Sequence, residues 1–391
     1  YLAMIDGQAG EYFGSDLAVG DMDGDGYEEV LVGGILLFGE GGAFLYDGVA
    51  LAGGGDFTGT NRSAWLKGGD VYTGVDVAIM ADADDDGVVE LISGPGYLGE
   101  LVNSPSVMVY SGVEALGGGT LTAVDALAQI NITKNGGQSL GVDWNADGIG
   151  DLVTGHNTGT VNVDDGSISG IGEFLFVDGA DMTGGSLKAT DTTRVYGDAS
   201  PARIGIHAGV LEDVDGNGYP EILVSAYGHD GLGTQAGRVY IIDGEFMTTA
   251  DESTNVEDAA IGTIDGSVDY GHLMPSERGG DFDGDGLEDT LVHHPGDIGW
   301  VHAALLQGQS GVNGRSYVLW NEDLVAGGSI DADANPEMVL KSKEDDDLLG
   351  WTSVISDLDD DGLDDIVIAA PAASSAAGNV WTLVNHLDEE Y

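Results

Sequence analysis

Short apolar runs recur along the chain, each bounded by Gly, Asp, Asn or Pro. One set is β-branched and aliphatic: Val30-Leu-Val32, Leu91-Ile92, Leu152-Val-Thr154, Ile222-Leu-Val224, Thr290-Leu-Val292 and Ile366-Val-Ile368. A second, more aromatic set follows: Phe44-Leu-Tyr46, Val107-Met-Val-Tyr110, Phe174-Leu-Phe-Val177, Val239-Tyr-Ile-Ile242, Tyr317-Val-Leu-Trp320 and Val380-Trp-Thr-Leu383. Runs this short, rich in β-branched and aromatic residues and bracketed by turn formers, predict strands rather than helices. Most of the second set close on Asp-Gly or Ser-Gly, a turn signal. The longest uncharged run, 366–387, is interrupted by Pro371, Ser374, Ser375, Gly378 and Asn379. It reads as two strands and a loop, not as a membrane span.

Between the strands one acidic segment recurs six times. Its first positions, Asp21, Asp82, Asp143, Asp213, Asp281 and Asp357, are 61, 61, 70, 68 and 76 residues apart. Before each segment stands a residue followed by Gly: Phe13-Gly14, Thr73-Gly74, Asn135-Gly136, Ile204-Gly205, Tyr270-Gly271 and Leu349-Gly350. A unit of about 65 residues with four short strands and Gly-rich turns is the pattern of a propeller blade. The chain is therefore expected to be all-β, a β-propeller of six four-stranded blades (seven as the alternative) forming one domain over residues 1–391. The last unit stops after its third strand near Val384. The opening Leu2-Ala-Met-Ile5-Asp6-Gly7 resembles Ala260-Ile-Gly-Thr-Ile264-Asp265-Gly266, a fourth strand. The N-terminal strand is thus expected to complete the last blade and close the ring, removing two exposed edges. Asp331-Ala-Asp333-Ala-Asn335-Pro-Glu337 mimics a seventh segment, but it lies 26 residues before Asp357 and lacks the turn Gly. Residues 331–337 read instead as a connector into a strand around Met338 to Lys341.

The spacing within each segment has a physical reason. Side chains at positions one, three and five of a tight loop converge, position seven offers a backbone carbonyl, and Gly at position six permits the turn. The first loop supplies Asp21, Asp23, Asp25, Tyr27 and Glu29, the second Asp82, Asp84, Asp86, Val88 and Glu90. The third and fourth supply Asp143, Asn145, Asp147, Ile149 and Asp151, then Asp213, Asp215, Asn217, Tyr219 and Glu221. The last two supply Asp281, Asp283, Asp285, Leu287 and Asp289, then Asp357, Asp359, Asp361, Leu363 and Asp365. All-oxygen donor sets of this kind suit Ca²⁺, which accepts six to eight oxygens in flexible geometry, so about six Ca²⁺ sites are expected. An EF-hand would carry a bidentate Glu at position twelve opening a helix. Here position twelve is Val32, Ser93, Thr154, Val224, Val292 or Ile368, inside strand-like runs, and the carboxylate stands at position nine.

Charge narrows the partners. The 391 residues include 69 Asp and Glu against 11 Lys and Arg, a formal charge of −58. Such a chain repels nucleic-acid phosphates and anionic membrane surfaces. With no cysteine there is no disulfide framework, thiolate site or Cys nucleophile. Hydrophobic residues reach 42%, too many for a disordered acidic tail. The chain opens at Tyr1 without a basic and apolar leader, and so reads as a mature or excised segment. His293-His294, with His302 nearby, is the one histidine cluster. Adjacent strand residues point to opposite faces, so no shared catalytic role is expected of the pair. No nucleophile elbow, phosphate loop or dinucleotide fingerprint is present. Trp320 and Trp381 fall in the third-strand pattern and are expected to pack the blades. Trp144, at position two of an acidic loop, and Trp300, in a long loop, are the candidates for exposed ligand contacts.

With these features together, the chain resembles the FG-GAP repeat, the blade unit of integrin α-subunit propellers and of many bacterial surface proteins. Phe13-Gly14 fits the first half of that name, Gly94-Pro95 and Ala369-Ala370-Pro371 the second, and the likeness runs the length of the chain. The resemblance implies a Ca²⁺ loop joining the two innermost strands of each blade, with the loops on one face of the disc. It implies adhesion or extracellular recognition; some related propellers bind sugars or cleave polysaccharides. The chain departs from integrins in showing six loops against their seven blades, no Arg-Gly-Asp and no inserted von Willebrand-type domain. The resulting expectation is a secreted or cell-surface, non-catalytic, Ca²⁺-stabilised propeller for adhesion, protein interaction or surface assembly. Its partners would be an extracellular protein or glycan, or copies of itself, with no nucleic acid and no membrane insertion. The alternatives are a lectin-like propeller and, third, a polysaccharide-cleaving enzyme.

Overall fold

The computed structural model describes the chain except residues 1–2, 8–12, 35–40, 69–72, 97–105, 133–135, 157–159, 164–165, 170, 183, 198–202, 251–252, 297–313, 326–327, 335, 343–346, 360, 372–378 and 386–391. The fold is all-β, and among the described residues six sheets of propeller-blade type, each built on an antiparallel meander, follow one another. They gather into two compact units, Tyr1–Val195 with Asp251–Ser253, and Tyr196–Ala250 with Thr254–Tyr391. Each unit holds three blades.

The first blade shows the plan. Its strands Phe13–Gly20, Glu29–Gly34, Gly42–Tyr46 and Ala64–Lys67 lie side by side, each antiparallel to the next. The acidic loop joins the first strand to the second. In the second blade the same places are taken by Asp76–Met80, Glu90–Gly94, Ser106–Tyr110 and Ala128–Asn131. Second strands are buried on both faces, Glu90–Gly94 throughout. This is why they read as unbroken apolar runs rather than as an alternation.

The period-two pleat assigns each such residue to a neighbour. In the second blade Leu91 packs with Leu31, Leu45 and Leu66 of the first, whereas Ile92 packs with Leu152, Leu175 and Val177 of the third. The second unit repeats the arrangement. Val292 packs with Leu223, Val239 and Ile241 of the fourth blade, and Leu291 with Ile366 and Ile368 of the sixth. Burying one Leu or Ile side chain is worth about 1.5–3 kcal/mol, so these interleaved layers are the main cohesion of each unit.

One element is not legible in the repeat. After the third strand and a short helical turn, each of several blades sends a strand across to the preceding outer strand and pairs with it in parallel. Gly119–Thr122 joins Ala64–Lys67, Ser186–Lys188 joins Ala128–Asn131, and Gly328–Asp331 joins Ala260–Asp265. Gly55–Thr58 does the same with Ala3–Asp6. The N-terminal strand therefore holds, beside the first blade, the place that fourth strands hold elsewhere. The sixth blade comprises Thr352–Ser356, Asp365–Ala370 and Asn379–Leu383 among the described residues.

The seventh acidic segment is a connector, as expected. Gly328–Asp331 is the crossing strand and Met338–Lys341 the fourth strand. Asp333 accepts hydrogen bonds from Ser267 and Tyr317 and pairs with Arg315. A further hairpin, Thr160–Val163 with Gly166–Ser169, stands between the second and third strands of the third blade. No helix among the described residues is long and apolar enough to cross a membrane.

Candidate metal centres in the acidic loops

Each acidic loop is folded by its own side chains. The first-position Asp accepts a hydrogen bond from the backbone N–H of the position-six Gly in all six loops, at 2.7–3.0 Å. Position five accepts from the N–H of position seven: Asp25 from Tyr27, Asp86 from Val88, Asp147 from Ile149, Asn217 from Tyr219, Asp285 from Leu287 and Asp361 from Leu363. These Asx turns bend the chain so that its carboxylates face inward. The glycine is required: Gly26, Gly87, Gly148, Gly218, Gly286 and Gly362 all have φ between 87° and 96°, a left-handed conformation costly for any residue with a Cβ.

Position nine does more than the spacing suggested. Glu29, Glu90, Asp151, Glu221, Asp289 and Asp365 open the second strands, and none is more than 2% exposed. Five of the six reach back under their loops. Glu29 accepts from the N–H of Met22 at 2.9 Å, Glu221 from Val214 at 2.9 Å, Asp289 from Phe282 at 3.1 Å and Asp365 from Leu358 at 2.8 Å; Glu90 accepts likewise from Ala83. The second oxygen reaches the chain after the third strand. Glu29 accepts from Gly48 at 3.1 Å, Asp151 from Gly179 at 2.7 Å, Asp289 from Asn321 at 3.0 Å and Asp365 from Asn385 at 2.6 Å.

This contact explains the Asp-Gly and Ser-Gly endings of the third strands. Asp47, Ser111, Asp178 and Asp243 cap the helical turns that follow. The glycine after the cap lies against the loop backbone. A Cβ on Gly48 would fall 2.6 Å from the Glu28 carbonyl oxygen, and one on Gly112 or Gly179 would overlap the carbonyl of Val89 or Gly150.

Negative charge is costly at these positions. Burial, with neighbouring carboxylates adding to it, pushes Glu90 and Glu221 up to about 8 and Asp151 and Asp289 up to about 7, against their backbone hydrogen bonds. Asp84 is raised by partial burial and by the charges of Asp86 and Asp82. Glu90 Oε1, Glu221 Oε1, Asp151 Oδ2 and Asp213 Oδ1 are buried carboxylate oxygens with no hydrogen-bond partner. Leaving such oxygens buried without a donor or a cation is expensive.

Five loops bring carboxylate oxygens within 4.8 Å of one another. The sets are Asp21, Asp23 and Glu29; Asp82, Asp84, Asp86 and Glu90; Asp213, Asp215 and Glu221; Asp281, Asp283 and Asp285; and Asp357, Asp359 and Asp365. Asp25, Asp289 and Asp361 stand outside those sets in their own loops. The third loop gathers no such set among the described residues, and Asn145 takes its position three. Tyr27, Val88, Ile149, Tyr219, Leu287 and Leu363 lie at position seven as the spacing requires.

The other candidates resolve differently. Trp144 is not an exposed ligand contact: it is 5% exposed and packs edge-on against Phe176 at 5.9 Å. Trp300 and His302 lie outside the described residues. Trp320 packs beside Leu291 and Val318 as expected, but Trp381 is 42% exposed on the third strand of the sixth blade. His293 and His294 do face apart. His293 pairs with Ser316 Oγ at 2.7 Å and Ser353 Oγ at 3.0 Å, whereas His294 sits edge-on to Tyr317 at 5.4 Å.

Blades of this topology, each with an acidic loop between its two inner strands, define a loop-bearing β-propeller class. The FG-GAP repeat matches at residues 205–242 and 349–383, and the chain carries that repeat. Among curated proteins it is similar to phosphatidylinositol-glycan-specific phospholipase D of Rattus norvegicus, 30% identical over 162 residues, covering 41% of this chain and 18% of the relative. The Mus musculus protein of the same name is 31% identical over 180 residues, covering 44% of this chain and 20% of the relative. The chain thus matches about a fifth of the length of these relatives.

Proposed function

We propose that the chain is a Ca²⁺-stabilised, non-catalytic propeller that works outside the cell as an interaction module. Its partner would be another protein or glycan, or a surface assembly. The observation that carries the reading is the buried position-nine carboxylate beneath the converging loop carboxylates; Glu90 and Glu221, both in gathered sets, each keep one buried oxygen without a hydrogen-bond donor, which supports a cation at the base of the loop. The converging carboxylates of the five gathered loops would hold the ion. Ca²⁺ would supply positive charge that offsets their mutual repulsion, and its tolerance of irregular all-oxygen sets suits loops that differ in donor number. FG-GAP repeats are typical of extracellular proteins, where millimolar Ca²⁺ is available. The phospholipase name belongs to relatives matched over a fifth of their length, and we do not extend that activity to this chain.

At a Kd of ~0.1 mM and ~1 mM free Ca²⁺, each site adds about 1.4 kcal/mol by mass action. Several such sites rival the whole stability of a domain. The test is calorimetric melting in 1 mM CaCl₂ and in chelator. A fall of many degrees in chelator is expected, and equal melting in the two media would remove the cation from the reading. Light scattering behind size exclusion under the same conditions separates a monomeric recognition module from a Ca²⁺-dependent assembly.

A further inference from the structure

The first unit contains a cavity of about 490 Å³ at the acidic-loop end of its second and third blades. Its lining is divided by chemistry. Leu127, Ile149 and Met182 form an apolar floor, and Asp85, Glu114 and Asp125 stand at the rim. Met182 is buried, and the three rim carboxylates are exposed. Asp84 also lines the cavity, and none of the described lining residues is Lys or Arg. The rim is assembled from three separate elements: the second acidic loop, the helical turn Gly112–Leu116 and the turn after the crossing strand Gly119–Thr122.

The rim is anchored as well as charged. Asp125 accepts from the backbone N–H and the hydroxyl of Thr122, both at 2.8 Å. Those bonds hold its carboxyl below the usual carboxylate range. A bare metal ion has no use for the apolar floor. An anion would be repelled by the rim, and a neutral sugar, although its hydroxyls can donate to carboxylates, would leave their negative charge uncompensated. The combination fits a cation carried on an aliphatic stem, with the stem on the floor and the charged head between the carboxylates.

We infer that this cavity receives a Lys or Arg side chain of a partner protein. The inference rests on the reading of the chain as an interaction module and names one of its contact points. Charge complementarity identifies the partner as basic. A second copy of this chain is a poor source, with 11 Lys and Arg against 69 acidic residues.

The test uses the full chain, saturated with Ca²⁺ and in physiological salt. Methyl NMR follows Leu127, Ile149 and Met182 while Nα-acetyl-arginine methylamide or its lysine counterpart is titrated. The norleucine counterpart, which keeps the stem and lacks the charge, is the control. Saturable shifts at the three floor methyls are expected from the charged probes and none from norleucine. The double variant Asp85→Asn/Glu114→Gln should weaken the charged probes by about fivefold or more. Both positions are exposed, and Asn is well tolerated at the φ of 61° that Asp85 adopts, so the variant should melt as the parent does in Ca²⁺. Shifts that scatter over the acidic surface without saturating at the floor overturn the inference, as does unweakened binding in the double variant. A chain that is stabilised by Ca²⁺ and ignores the charged probes sinks this inference alone and leaves the cation reading standing.

Discussion

Glu29 offers the sharpest test of how position nine works. Its two oxygens accept the buried N–H groups of Met22 at 2.9 Å and Gly48 at 3.1 Å. Glu29→Gln keeps the volume and opens no cavity, but it replaces one acceptor with an amide donor that faces another donor. One buried N–H then loses its partner, which costs about 1–3 kcal/mol. For a unit of about two hundred residues, ~2 kcal/mol lowers the melting temperature by roughly 4–8 °C. This part of the loss is independent of metal and should appear in chelator. In Ca²⁺ a second part is added, because Glu29 lies in the set with Asp21 and Asp23. A tenfold loss of affinity there is worth up to about 1.4 kcal/mol. The assay is calorimetric melting of the parent and the variant in CaCl₂ and in chelator, with Glu28→Gln, an exposed neighbour, as the neutral control. Equal drops in the two media would take Glu29 out of the cation site and leave it a backbone clamp. Melting within about a degree of the parent in both media would refute the argument altogether.

Three further outcomes follow from the same geometry. Gly150→Ala should destabilise the first unit by about 1–3 kcal/mol. Gly150 donates to the Asp82 carbonyl at 2.7 Å, and a Cβ would overlap the carbonyl of Ala81; an unmoved denaturation midpoint would count against this packing. Trp144→Ala should cost about 3–5 kcal/mol as a core truncation, read from the same midpoint, whereas a near-neutral result would return Trp144 to the surface. Burial, helped by the charges of His207 and His294, holds His293 at about 3, and burial holds His294 at about 4, both below the ordinary 6.5. The unfolded chain therefore binds these protons first. The stability tied to neutral imidazole is intact above pH 6.5 and is lost as pH falls from 6.5 toward 4 for His294 and toward 3 for His293, by about 2 kcal/mol for each His at pH 5. His293→Gln should flatten that limb of the stability profile, and an unchanged slope would show that the imidazole is already charged in the fold.

Much of this protein is local and so was readable. The tight turns of the six loops close through contacts spanning at most five residues, as between Asp21 and Gly26. Six near-copies make the register of first, second and third strands plain. The apolar runs Val30-Leu-Val32 and Leu91-Ile92 announce strands buried on both faces, because a strand held between two blades has no solvent side. The distinction between the acidic loops and the connector at 331–337 was also readable, since it turned on a missing glycine and on a spacing of 26 residues, too short for another blade.

What the sequence alone could not show depends on partners far along the chain. The crossing strands pair in parallel with a neighbouring blade some 55 residues away, as Gly119 does with Ala64, and no local pattern encodes that choice. The exposure of Trp144 and Trp381 was inverted by tertiary position. Trp144 is turned inward against Phe176, and Trp381 stays exposed although it lies on a third strand. The role of position nine is the clearest case. Its spacing marked Glu29 and Asp289 as acidic-loop members. Only the folded blade brings Gly48 and Asn321 over them, so that each carboxylate joins its loop, its strand and the next helical turn in one buried set of hydrogen bonds. Sequence determined which residues could form such a site. Tertiary packing removed water from them, and that desolvation makes negative charge on the buried carboxylates costly and raises the pKa values of Glu90, Asp151, Glu221 and Asp289.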